Sequence, residues 1–102
     1  ADSRTEAYAA RCMVEKTARL KDEGRNVNEE AACTKLFASE MVGRVADRAV
    51  QIHGGSGYMR DVPVERIYRD VRLLRLYEGT SEIQKLIIGG GLVKAASKAA
   101  KR

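Results

Sequence analysis

The sequence predicts an all-α domain, an antiparallel bundle of four helices joined by short connections. Three observations support this. Apolar residues recur at three- and four-residue steps over long stretches, and no segment alternates polar and apolar residues over a useful length. Ala, Leu, Glu, Lys and Arg are abundant, Pro occurs once, and aromatics make up 5%, which favours helix over sheet. A chain of 102 residues, 44% apolar and 32% charged, is one small soluble globular domain.

The first helix is expected from about Thr5 to Glu23, with Ala10, Met13, Val14, Thr17 and Leu20 on one stripe and Gly24 at its C-cap. Asn26 or Asn28 can cap the next helix, whose acidic Glu29 and Glu30 suit the positive end of its dipole. That helix is the longest, about Glu29 to His53, with a stripe of Ala38, Met41, Val42, Val45, Ala49 and Ile52, and it stops at Gly54-Gly55. Ser56 to Val62 reads as a loop. Pro63 suits the first turn of a third helix, expected to reach Leu74 with Val64, Ile67, Tyr68, Val71 and Leu74 inward. A short connection from Arg75 leads to Thr80 or Ser81, which caps a fourth helix carrying Ile83, Leu86, Ile87 and Val93. Each Gly of the Gly89-Gly91 run costs about 1 kcal/mol relative to Ala inside a helix, so a break or fraying is expected there. The Lys/Ala stretch beyond it, residues 94–102, reads as a basic tail, either a solvated helix end or disordered.

Composition also excludes several functions. The net charge is +5, and Lys94, Lys98, Lys101 and Arg102 carry four of those charges. Without the tail almost no excess remains, which argues against nucleic-acid binding by a structured basic face. No apolar run is long enough to span a bilayer, and Ala1-Asp2-Ser3-Arg4 offers no signal core. Cys12 and Cys33 are far apart and are expected to be small buried hydrophobes; with a single His they make a poor metal-ligand set.

Three stretches could carry chemistry. Gln51-Ile52-His53-Gly54-Gly55-Ser56-Gly57-Tyr58 is a Gly-rich helix end that can bring backbone close to a ligand, although taken alone it reads as a helix stop. Glu65 to Arg72 alternates in charge, with Glu65 and Arg69 spaced for an i,i+4 pair on a solvated face. In Leu76-Tyr77-Glu78-Gly79-Thr80-Ser81-Glu82-Ile83-Gln84 a carboxylate sits beside Gly just before a helix start. Held in a dry pocket, it would become a usable base; left in water, it is an ordinary Glu near a cap.

Together these stretches resemble the C-terminal signature of the acyl-CoA dehydrogenase family: Gln51-x-x-Gly54-Gly55-x-Gly57-Tyr58, then Glu65-x-x-x-Arg69-Asp70, then Tyr77-Glu78-Gly79-Thr80-Ser81-x-Ile83-Gln84. The similarity covers roughly residues 7–88. It implies that residues 1–102 are part of that family's C-terminal helical domain, a four-helix bundle type here lacking its first helix, in a fragment inactive by itself. It further implies FAD as cofactor, an acyl-CoA thioester as substrate, assembly as homotetramer or homodimer, and an electron-transfer flavoprotein or similar acceptor. The expected location is the bacterial cytoplasm, or the mitochondrial matrix if the source is eukaryotic.

Carried over by position, the resemblance makes Glu78 the base that abstracts the pro-R α-proton while a β-hydride passes to flavin, giving a trans-2-enoyl-CoA. The Glu78 backbone N–H and a flavin ribityl hydroxyl would bind the thioester carbonyl. Tyr77, Glu78 and Gly79 would meet the substrate, Thr80 and Glu82 the FAD pyrophosphate region, and Gln51, Gly54 and Gly55 the adenosine end of a neighbouring subunit's FAD. Members that lack the Glu after Tyr carry their base on the domain's first helix, so Tyr77-Glu78-Gly79-Thr80 places this chain with the straight-chain type. Two positions depart from the pattern: Gly90 stands where many members have Arg, and Glu82 where some have Gln. A non-catalytic assembly module using the same fold is the alternative, and a basic nucleic-acid binder resting on the tail is a third.

Overall fold

The computed structural model describes residues 1–101, and Arg102 at the end of the expected tail lies outside them. Helix α1 spans Asp2–Asp22, α2 Asn28–His53, α3 Val64–Arg72 and α4 Ser81–Ala100, with 3-10 turns at Gly54–Tyr58 and Leu73–Arg75. No strand occurs among the described residues. The chain is all-α, with four helices as expected.

α1 ends in a Schellman arrangement. Gly24 takes φ +82, its N–H bonds Lys21 O at 2.9 Å, and Arg25 N–H bonds Leu20 O at 3.1 Å. The next helix is capped differently from the expectation. Val27 occupies the N-cap with no side-chain cap bond, and Asn26 Oδ1 instead accepts from Asn28 N–H at 3.0 Å, a local turn. Pro63 sits one residue ahead of α3 as its N-cap, where its carbonyl accepts from Arg66 and Ile67.

α1, α3 and α4 all pack on α2. Cross-links run down one helix as they run up the other, so α1 and α2 are antiparallel: Thr17 meets Thr34 at 3.0 Å, Glu6 meets Arg44 at 3.3 Å, and Ser3 meets Arg48 at 3.3 Å. α2 and α4 are antiparallel by the same test, Ser81 bonding Glu40 and Gly91 lying against Glu29. Packed on several sides, α2 buries the heptad line Ala32, Ser39, Ala46 rather than the expected stripe, whose Ile52 is 85% exposed.

The core is small, with Ala10, Val27, Ala32, Ala46 and Val64 buried and no large side chain fully so. The molecule is elongated, 60 × 24 × 22 Å, with a radius of gyration of 17.2 Å against about 13 Å for a compact domain of this length. Two expectations of burial fail. Cys12 is exposed and Cys33 half-buried, because Cys12 lies about 200° around the helix from the buried Ala10. Glu65 and Arg69 are not within ion-pair distance; the ion pairs among the described residues are Arg11–Glu15, Arg44–Glu6, Arg48–Glu6 and Arg75–Glu40. The expected break at Gly89-Gly91 does not occur, and α4 continues through it to Ala100. No helix among the described residues is long and apolar enough to cross a membrane.

Candidate functional site

The loop between the second 3-10 turn and α4 is built from backbone constraints. Leu73 O accepts from Leu76 N–H at 2.9 Å and Tyr77 N–H at 3.2 Å, which closes the turn. The next two residues are both left-handed, Glu78 at φ +54 and Gly79 at φ +88. Glu78 is the one non-glycine residue at positive φ among those described. For a residue with a Cβ this costs about 1 kcal/mol or more. Thr80 then turns extended and caps α4, its Oγ1 accepting from Ile83 N–H at 3.2 Å.

Side chains distant in sequence fasten this loop. Lys35 Nζ donates to Leu74 O at 2.7 Å and to Gly79 O at 2.8 Å. The buried Gln84 donates from Nε2 to Glu78 O and Gly79 O, each at 3.3 Å. Ser81 Oγ donates to Glu40 Oε1 at 2.7 Å, and Arg75 Nη1 to Glu40 Oε2 at 3.3 Å. The Ser81 hydrogen bond first, and the neighbouring Arg75 after it, hold the Glu40 carboxyl below its ordinary range against the opposing effect of partial burial. On α2, Lys35, Ser39 and Gly43 recur every four residues and so share a face. A Cβ on Gly43 would lie 3.6 Å from the Arg75 guanidinium, an ordinary van der Waals contact.

Glu78 is exposed, and Tyr77 is 48% exposed. The dry pocket expected around the carboxylate is therefore not formed by these residues. Thr80 is half-buried and Glu82 exposed on the first turn of α4. The Glu78 N–H donates no hydrogen bond among the described residues.

The second set of expected residues lies elsewhere. Gln51, Gly54 and Gly55 are all exposed at the end of α2. Along α2, Gln51 lies sixteen residues from Lys35 and eleven from Glu40, the residues that hold the loop and the start of α4, about 24 Å and about 17 Å of helical rise. Gly54 takes φ +62, and a Cβ at Gly54 or Gly55 would meet nothing within 4 Å. Gly57, read from sequence as a loop residue, is instead a packing glycine, because a Cβ there would lie 2.6 Å from Val50 O. A groove of about 1020 Å³ lies between α2 and α3 among Val50, Gly57, Glu65, Tyr68 and Leu73; none of Tyr77, Glu78, Gly79 or Thr80 lines it.

Comparison with known proteins places this arrangement. Residues 1–93 match the family described as acyl-CoA dehydrogenase, C-terminal domain. The chain is 54% identical over 94 residues to "Probable acyl-CoA dehydrogenase YngJ" of Bacillus subtilis, covering 92% of this chain and 25% of that protein. It is 45% identical over 94 residues to "Caffeyl-CoA reductase-Etf complex subunit CarC" of Acetobacterium woodii, with the same coverage of 92% and 25%. The structure of butyryl-CoA dehydrogenase from Megasphaera elsdenii superposes with a TM-score of 0.84 at 42% identity, over 88% of this chain and 24% of that one. The chain thus spans about a quarter of the length of the curated relatives it matches. With the signature motifs, the helical architecture and these similarities in agreement, the chain belongs to the acyl-CoA dehydrogenase family.

Proposed function

We propose that the protein carrying this domain oxidises an acyl-CoA thioester to the trans-2-enoyl-CoA, with Glu78 as the base that removes the α-proton. The observation that carries this reading is the backbone of Glu78. A carboxylate is held at φ +54, beside a glycine and ahead of a helix N-terminus, where a residue without a Cβ would sit at lower cost. A side chain kept in such a conformation is a candidate for function.

The chemistry follows from what these residues can reach. A thioester α-C–H is a very weak acid, so its removal needs both a base and a donor at the carbonyl oxygen where charge develops. The free Glu78 N–H provides that donor on the same residue as the base. The proton moves from the α-carbon to the Glu78 carboxylate as the α,β double bond forms, and the exposed Tyr77 ring borders the acyl chain. FAD, when bound, supplies the acceptor for the β-hydride. For the reverse reaction, implied by relatives named as reductases, microscopic reversibility gives Glu78 the task of returning the proton.

The residues present fit that cofactor. The α4 N-terminus, with Thr80 and Glu82 beside it, offers backbone N–H groups and a positive dipole end to an anionic pyrophosphate. Gly54 and Gly55 present bare backbone with open space above it, suited to a flat group lying close. A separation of roughly 17–24 Å of helical rise along α2, from Glu40 and Lys35 under the loop to Gln51, supports the reading that Gln51, Gly54 and Gly55 serve the FAD of a neighbouring copy in a homodimer or homotetramer. An electron-transfer flavoprotein is the proposed acceptor, in keeping with a relative named for an Etf complex. For the full-length protein we expect bound flavin by visible absorption, bleached anaerobically by a straight-chain acyl-CoA. A protein with this fold that binds no flavin, or whose flavin no acyl-CoA bleaches, would instead be the non-catalytic assembly module.

A further inference from the structure

We propose that Lys35 and Gln84 are positioning residues that clamp the backbone on either side of Gly79 and so aim the Glu78 carboxylate; this rests on Glu78 being the base. A non-glycine residue stays in the left-handed region only where its surroundings over-determine it. Here the restraint is on both peptide units after Glu78. The Glu78 carbonyl accepts from Gln84, and the Gly79 carbonyl accepts from both Gln84 and Lys35. The second bond of Lys35, to Leu74 O, holds the start of the same loop. A charged donor makes stronger hydrogen bonds than a neutral one, and Lys35 directs two of its three N–H groups at this loop.

The clamp also explains Gly79. Beyond its φ of +88, a Cβ there would lie 2.6 Å from Gln84 Nε2, the donor atom itself. A larger residue would push the amide off both carbonyls. Docking of α4 does not depend on these bonds, because Ser81 is tied separately to Glu40 on α2 and Thr80 caps the helix. Losing the clamp is therefore expected to loosen the loop while the helices stay packed. Removing it leaves the Glu78 carboxylate chemically intact but displaced, and misplacement by about 1 Å costs a positioned catalytic group about 100-fold in rate.

The test uses the flavin-loaded full-length protein. Lys35→Met and Gln84→Met are each expected to slow anaerobic flavin reduction by saturating acyl-CoA about 100-fold. Flavin content and thioester affinity stay at the parent's values, and Lys35→Arg keeps most of the rate. Amide hydrogen exchange at residues 78–80 speeds up in Lys35→Met while that of α1 does not change. Added to Glu78→Gln, either substitution causes a much smaller further loss than it does in the parent, because with the carboxylate gone only the Glu78 N–H donor remains to be displaced. Should Lys35→Met fail to take up flavin, Gln84→Met carries the same test. Parent-like reduction rates in the Met variants, or an equal additional loss in the Glu78→Gln background, would overturn the clamp while leaving the base in place. Parent-like reduction by Glu78→Gln alone would overturn the base and the clamp with it.

Discussion

Glu78 occupies a left-handed backbone position although a glycine stands immediately after it. A glycine at 78 would relieve the Cβ strain, offset in part by its greater freedom in the unfolded chain. A Glu78→Gly chain is therefore expected to unfold at an equal or higher midpoint, by up to about 1 kcal/mol in denaturant titration, while the catalytic group is lost. A clear loss of stability would show that the side chain, rather than the backbone around it, holds the loop. Tyr77, Glu78, Gly79 and Thr80 were legible in the sequence because they are consecutive and their order is distinctive. Lys35 and Glu40 were not, because they act on this loop from about 40 residues away, and a lone Lys or Glu on a helix gives no local signal. Gln84 could be read as part of the motif, but its contact with the two carbonyls depends on how the loop bends.

At the level of elements, helix positions were readable to within a few residues, whereas helix faces were less so. The expected stripes assumed that each helix buries one side, yet α2 is packed by three others and buries Ala32, Ser39 and Ala46. The glycine run in α4 shows that packing overrides propensity. Gly91 lies close to α2, where a Cβ would sit 3.1 Å from Glu29 Oε2, while Gly89 and Gly90 have open space and no positive φ. Gly89→Ala and Gly90→Ala should each stabilise the chain by about 1 kcal/mol, read as a shift in urea midpoint. Gly91→Ala should gain less, because Glu29 has to move aside. Equal gains at all three positions would show that the contact at Gly91 carries no weight.

Across the whole molecule two features stand out. Large apolar side chains are exposed along its length, including Tyr58, Leu86 and Val93. Surfaces of this kind are covered in assembled proteins. The isolated chain should therefore self-associate as concentration rises, seen by sedimentation velocity; a strict monomer at high concentration would count against it. The helices are also tied by two carboxylates held below their ordinary range. Glu6 is lowered first by its hydrogen bond from Arg48, with Arg44 adding to it, and Glu40 by Ser81 and then Arg75. A lowered folded-state pKa gives stability that is present above the unfolded value and lost as pH falls through the folded one. The thermal midpoint should thus be flat from neutral pH to about pH 5 and drop below about pH 4. Glu6→Gln should flatten that drop, and a midpoint that rises on acidification would exclude this account.

Exchange of the α-hydrogens of a thioester with solvent reports on the base directly, independent of any electron acceptor. In the flavin-loaded full-length protein, Glu78→Gln should retain flavin and bind the thioester, yet slow α-hydrogen exchange by at least about 100-fold. Exchange at the parent's rate would mean that another group removes the proton and that the strained Glu78 is not the base.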